Sequence, residues 1–312
     1  MRGFIQQIIG FLLLLAMLAT AADIYLSWRL KQNPSTAAGE YTVWNDIYAG
    51  KIEADYLIYG SSRAWVHFNP RLFKESLNQT AYNLGMDGQN FHLQLLRHLE
   101  LIRHNPYPKN IVLALDVFSL DEYDELYNEA QFLPYQLFNS NIRRFRAHYQ
   151  NFQPAFHWLP MYRYAGRKQL IRDIFSPTQI DSNSIRFQGF RGQDKSWSPE
   201  ADSVLARLTP FEVPIDSQLV QLFEQFLEEM RSRQVRLTLV YPPEYIAGQK
   251  HILNRQAILT YYSAQAKKYG FTFLDYSSHP LSYDKSNFYN SSHLNARAAD
   301  EFTRVFMGDL PH

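Results

Sequence analysis

With 312 residues the chain is long enough for one large α/β domain or a domain carrying a sizeable insertion. Its formal charge of +1 gives no indication of nucleic acid or a strongly acidic partner, and the absence of cysteine removes disulfides and thiolate chemistry. The aromatic share of 15% is high; such side chains serve either a core or contacts with glycans and membrane interfaces.

The first element lies within residues 4–30. Residues 8–22 carry no charge; Asp23 interrupts the run, and Ile24, Tyr25, Leu26 and Trp28 continue it before Arg29 and Lys31. The uncharged stretch fits a signal-peptide core, with Ala19-Thr-Ala21 or Thr20-Ala-Ala22 as small-residue cleavage sites. With its continuation, about 24 residues span a bilayer as a tilted helix, with Tyr25 and Trp28 at the interface. Apolar residues persist beyond the cleavage sites, which favours an uncleaved single-pass anchor over a cleaved signal. Basic residues flank both ends, so charge asymmetry hardly sets orientation. The signal-like order of features places the main domain outside the cytoplasm.

Residues 31–50 read as a linker and entry segment, and residues 51–312 as the α/β domain. Apolar runs predict strands at 56–59, 81–84, 111–115, 235–241 and 271–274. Helical periodicity fits 70–77, with Asn69 as N-cap and Pro70 in the first turn, and also 91–103, 217–233, 252–269 and 296–306. Strands alternating with helices imply a parallel sheet covered on both faces, with its ligand crevice beyond the carboxyl ends of the strands. Ser62, Gly85 and Asp116 each follow a strand closely and so converge on that edge. Residues 119–214 break the rhythm with aromatics and arginines. They form either an insertion capping the crevice or ordinary amphipathic helices on the sheet. Arg143, Arg144, Arg146, Arg163, Arg167, Lys168 and Arg172 within it suit anionic glycan or lipid headgroups, or a solvated helix face.

Chemistry concentrates in two short blocks. Gly60-Ser61-Ser62-Arg63 ends the first strand, and Asn290-Ser-Ser-His293 lies near the far end of the chain. A serine hydroxyl needs a base and waiting oxyanion donors, and histidine is the commonest base. The histidines at 92, 98 and 104 lack metal-ligand spacing, and no glycine-rich phosphate loop follows a strand, so neither metal nor cofactor is expected.

Gly60-Ser-Ser-Arg-Ala, Asn83-Leu-Gly85 and Asn290-Ser-Ser-His-Leu-Asn resemble the SGNH (GDSL-type) hydrolase superfamily. The nearer likeness is to its cell-envelope branch of membrane-anchored, DltD-like and alginate-acetylation-like proteins. The resemblance covers the chain from Asp55 onward, apart from 119–214. It implies a flavodoxin-like three-layer fold with Ser62 as nucleophile, Gly85 beside the Ser62 N–H as oxyanion donor, and His293 as base. Ser61 replaces the usual aspartate, Asp116 stands where an asparagine is common, and Asn290 stands at the place of the acid. A Ser–His dyad, an acid supplied by Asp284 or Asp116, or lost catalysis would each follow. Arg63 is expected to pair with a carboxylate or contact substrate, and His67 to stabilise a turn or line the crevice.

The implied activity is O-acyl, in particular O-acetyl, transfer or ester hydrolysis on a cell-surface glycan or acylated small molecule. The alternative is a non-catalytic partner that binds glycan or a membrane acyltransferase through the aromatic insertion. A receiver or nucleotide domain of similar fold would need an acidic cluster or a glycine fingerprint that is missing here.

Overall fold

The computed structural model of the chain describes residues 1–33, 36–175 and 185–310. Pro34 and Ser35 of the expected linker, and 176–184 of the expected insertion, lie outside them. The chain gathers into two compact units, one of residues 1–45 with 124–185, the other of residues 46–123 with 186–312. Residues 186–214 thus belong with the sheet-bearing unit.

The first unit is built on α1 (Arg2–Lys31), a helix long and apolar enough for a membrane anchor or a signal sequence. Its N-terminal two-thirds is exposed, whereas Asp23, Leu26, Ser27 and Leu30 are buried. Asp23 is almost wholly enclosed and pairs with the equally buried Arg163 at 2.6 Å. Aromatic rings join aliphatic side chains such as Val43, Leu133 and Ile142 in this core: Trp44 meets Phe132 edge-on, with ring centroids 5.8 Å apart, and its indole N–H donates to Gln131. Three cations of the arginine-rich stretch serve internal pairs. Arg146 and Arg167 share Glu129, each at 2.9 Å, and Arg163 takes Asp23.

The second unit holds five parallel strands in the order β2-β1-β3-β4-β5. They are β1 (Tyr56–Tyr59), β2 (Ala81–Asn83), β3 (Asn110–Ala114), β4 (Arg236–Tyr241) and β5 (Thr272–Asp275). This is the flavodoxin-like order, whose crossover helices cover both faces. Side chains alternate across the sheet. Ile58, Val112 and Val240 face a core closed by α2 (Ser62–His67), α3 (Pro70–Leu77) and α7 (Ala296–Gly308), where Phe68 packs edge-on against Phe302 and Phe306. The opposite face is covered by α4 (Phe91–His104), α5 (Ser217–Ser232) and α6 (Arg255–Tyr269). There the Tyr59 hydroxyl meets His98, whose ring stands against Phe226.

The sequence spacing predicts α6 from 252, yet the helix begins at Arg255. Ile252 pairs instead in a parallel bridge with Phe211, and the Leu253 N–H donates to the Phe211 carbonyl. Asn69 caps α3 through the Arg71 N–H with Pro70 in its first turn, as the sequence predicts. The carboxyl ends of β1, β3 and β4 meet at one edge, and the functional residues collect there.

Candidate active site

β1 is followed by Gly60, whose backbone stands at φ +143; a Cβ there would lie 2.7 Å from the Ala114 carbonyl oxygen. Only glycine lets the chain turn so tightly beside β3. Ser61 then caps α2: its Oγ accepts the Arg63 N–H and donates its own proton to Asp116. Ser62 becomes the first helical residue, so its N–H is one of the four that a helix leaves without an intrahelical acceptor.

The base arrives from the loop before α7. Phe288 and Leu294 form an antiparallel bridge, and the Tyr289 N–H donates to the His293 carbonyl at 3.1 Å, pinching the intervening residues into a tight turn. His293 Nε2 lies 2.8 Å from Ser62 Oγ, across 231 positions of sequence. On the other side of the ring, Nδ1 lies 2.9 Å from Asn290 Oδ1. That oxygen also accepts the backbone N–H groups of Ser292 (3.0 Å) and His293 (2.9 Å). Backbone amides only donate, so the atom facing Nδ1 is the carbonyl oxygen of the side chain, not its NH₂. Nδ1 therefore carries the proton, and Nε2 presents its lone pair to the Ser62 hydroxyl. The Tyr289 ring stacks on the imidazole at 5.4 Å and 13°. Burial, with the nearby Arg63 guanidinium, pushes His293 down to about 3, so the ring is neutral at physiological pH.

Asp116 and Arg63 sit beneath the nucleophile. Arg63 pairs with Asp116 at 2.8 Å and approaches Glu244 at 3.7 Å; it donates to the Pro242 carbonyl and stacks 4.6 Å from the Tyr241 ring. This buried guanidinium joins the segments that follow β3 and β4 to the start of α2. The Asp116 carboxylate is committed to Ser61 and Arg63, and Asp284 caps the short turn Lys285–Asn287. Neither acid stands behind His293; that place belongs to Asn290. His67 does not line the cavity. Its Nε2 accepts the Leu294 N–H at 3.0 Å and its ring meets His293 edge-on at 6.1 Å, so it braces the histidine loop. Burial first, and then Arg63 and His293, depress its pKa well below the ordinary range.

The expectation for Gly85 needs correction. Its N–H donates to Asn83 Oδ1 at 2.9 Å, and a Cβ there would lie 2.6 Å from the Trp65 nitrogen. Gly85 therefore permits close packing of the β2 exit on α2 and has no free amide for an oxyanion. The glycine that lines the cavity is Gly88, with φ +65.

The cavity at this edge measures about 210 Å³ and is lined by Ser62, His293, Arg63 and Asp116, together with Gly88, Gln89, Tyr123 and Glu244. These last four do not stand out in the sequence. Glu244 follows Tyr241-Pro242-Pro243 at the end of β4, and that position is the signal available for it. Burial raises its carboxyl against the opposing pull of Arg63, and the Tyr241 hydroxyl donates to it. The arrangement can take a proton from Ser62 and hold the imidazole in one tautomer. It supplies no negative charge behind the ring.

Comparison with known proteins yields no matching family profile and no matching curated protein. Among solved structures, the chain is similar to a GDSL-like lipase from Bacteroides thetaiotaomicron, at 12% identity and a TM-score of 0.39 over 87% of this chain and 97% of that one. It is also similar to an extracellular lipase from Streptomyces rimosus, at 11% identity and a TM-score of 0.39 over 83% of this chain and all of the other (100%). Likeness at that level carries no argument about activity, and the reading of the site rests on its own geometry.

Proposed function

We propose that this chain is a serine-dependent O-acyl esterase or transferase that handles a short acyl group, in particular acetyl, carried by an envelope glycan. The observation that carries the reading is the 2.8 Å contact between Ser62 Oγ and His293 Nε2, on a ring whose other nitrogen is held by Asn290 Oδ1. Such a contact lies within the reach required of a nucleophile and its base. His293 takes the Ser62 proton as Oγ bonds to the acyl carbon, and the carbonyl π electrons move to oxygen. The Ser62 N–H at the start of α2 receives this oxyanion, with the backbone of Gly88 as the second donor. Collapse breaks the ester C–O bond, and the imidazolium returns its proton to the leaving alkoxide. Water or a sugar hydroxyl then attacks the acyl carbon on Ser62 as its proton goes to His293; the acyl–Oγ bond breaks, and the imidazolium returns the proton to Ser62 Oγ.

A cavity of about 210 Å³ falls below the roughly 300–1,000 Å³ of sites for larger ligands, which favours an acetyl-sized acyl group over a fatty chain. The glycan acceptor and the envelope setting come from the sequence resemblance. The test is turnover of 4-nitrophenyl acetate against the octanoate. Ser62→Ala and His293→Ala are expected to abolish acetate turnover, and the octanoate to be the poorer substrate. Full activity in Ser62→Ala removes the nucleophile.

A non-catalytic reading has one specific observation behind it, the amide of Asn290. It orients the ring through its oxygen but leaves an imidazolium without a counter-charge. Loss of the acid costs about four orders of magnitude in a serine protease. A folded protein inert towards both esters would favour this reading.

A further inference from the structure

We infer that the first unit carries a second membrane contact beside α1, an aromatic apron that lies on the surface of an anionic bilayer. Residues 4–22 rise about 1.5 Å each, roughly 28 Å in all, close to the hydrocarbon thickness of about 30 Å. Asp23 therefore stands where hydrocarbon gives way to headgroups.

Two other segments are bonded to the helix at that level. Asp23 accepts the Met161 N–H at 2.7 Å and Arg163 Nη2 at 2.6 Å. One turn on, the Ser27 and Tyr164 hydroxyls meet at 2.8 Å, and Arg29 donates to the Ile174 carbonyl at 3.0 Å. The segment around residues 158–164 and the helix Lys168–Phe175 are thus fixed to α1 just beyond its apolar run. Among what they present outward are large apolar side chains. Trp158, Leu159, Tyr162 and Phe175, with Tyr25 and Trp28 of α1, are each between 44% and 53% exposed. Tyr25 lies 6.4 Å from Phe175 and 6.1 Å from Trp28. Half-exposed tryptophan and tyrosine at this depth match the interfacial belt of membrane proteins. The cations agree in sign: Arg143 stacks 4.6 Å over Trp158, and Arg144, Lys168 and Arg172 are exposed, as contact with anionic headgroups requires. Continuity with a helix of membrane-spanning length, and this charge, select a lipid surface over a protein partner. The inference is independent of the acyl chemistry.

The chain has no cysteine, so single labels are clean. Full-length Leu159→Cys and Ile9→Cys, each carrying a nitrobenzoxadiazole label, are reconstituted in phosphatidylcholine vesicles containing phosphatidylglycerol. Ile9 lies inside the apolar run and reports insertion. Both labels are expected to lose emission to nitroxide-bearing lipids and to resist aqueous iodide, with Leu159 quenched more by a headgroup nitroxide than by one at the chain end. A Leu159 label open to iodide and untouched by nitroxide lipid, with Ile9 quenched, overturns the apron. An Ile9 label that is itself unquenched overturns the membrane placement on which the apron depends.

Discussion

At Asn290 a single atom fixes the orientation of the catalytic ring. Its Oδ1 holds three donors at once and gives the His293 ring orientation without charge. Burial and Arg63 then leave the imidazole at about 3. A base with a depressed pKa stays neutral on acidification, so the acid limb of kcat/KM is expected near pH 3 and not near 6.5. Asn290→Asp places a carboxylate behind Nδ1–H and favours the imidazolium. The limb should move upward, and turnover at neutral pH should rise by at least about tenfold, within the roughly 10⁴ that such an acid supplies elsewhere. A pH–rate profile of both proteins on an acetyl ester checks this; an unmoved limb would detach Asn290 from the base. Ser62 and His293 are legible in sequence because each lies beside a strand or turn signal. Gly85 and Gly88 are three residues apart, and sequence does not tell which amide the Asn83 side chain has already taken.

At the scale of elements, Asn83 ties the β2 exit to α2. Its Nδ2 donates to the Ala64 carbonyl at 2.8 Å and the Phe68 carbonyl at 3.0 Å, while its Oδ1 accepts the Gly85 N–H. All of these lie in buried surroundings, so Asn83→Leu leaves main-chain groups unpaired and is expected to cost roughly 2–5 kcal/mol. Denaturant titration reads that cost directly, and a loss under 1 kcal/mol, on the order of one ordinary hydrogen bond, would contradict it. The strands themselves are legible because both faces of a parallel sheet are covered, which leaves continuous apolar runs such as Leu57-Ile58-Tyr59 and Ile111-Val112-Leu113. Boundaries that depend on distant partners are not. Ile252 continues the helical period, yet its bridge to Phe211 holds it outside α6, and no local pattern announces a partner 41 positions away.

For the whole molecule, the buried histidines set the response to acid. Burial, chiefly, lowers His67 well below its ordinary value and His98 to about 4, so both stay neutral in the folded protein where the unfolded chain would protonate them. The unfolded state then binds more protons, and stability falls as pH drops below about 6.5. Each such histidine removes about 1.4 kcal/mol per pH unit until its folded pKa is reached. Melting temperatures of the full chain between pH 7 and pH 4 should decline, and His98→Phe should flatten that decline; an identical slope in the variant would contradict the account. The α/β class is visible from the alternation of strands and helices. The gathering of 124–185 with the first 45 residues is not, because pairs such as Asp23 with Arg163 join residues 140 positions apart.

The central claim is that Ser62 is a nucleophile activated by His293, and covalent trapping addresses it most directly. A fluorophosphonate incubated with the folded full-length chain is expected to add one phosphonyl group, found by peptide mass on Ser62 and lost in His293→Ala. An unmodified protein, or equal labelling of Ser62 without His293, would contradict the account.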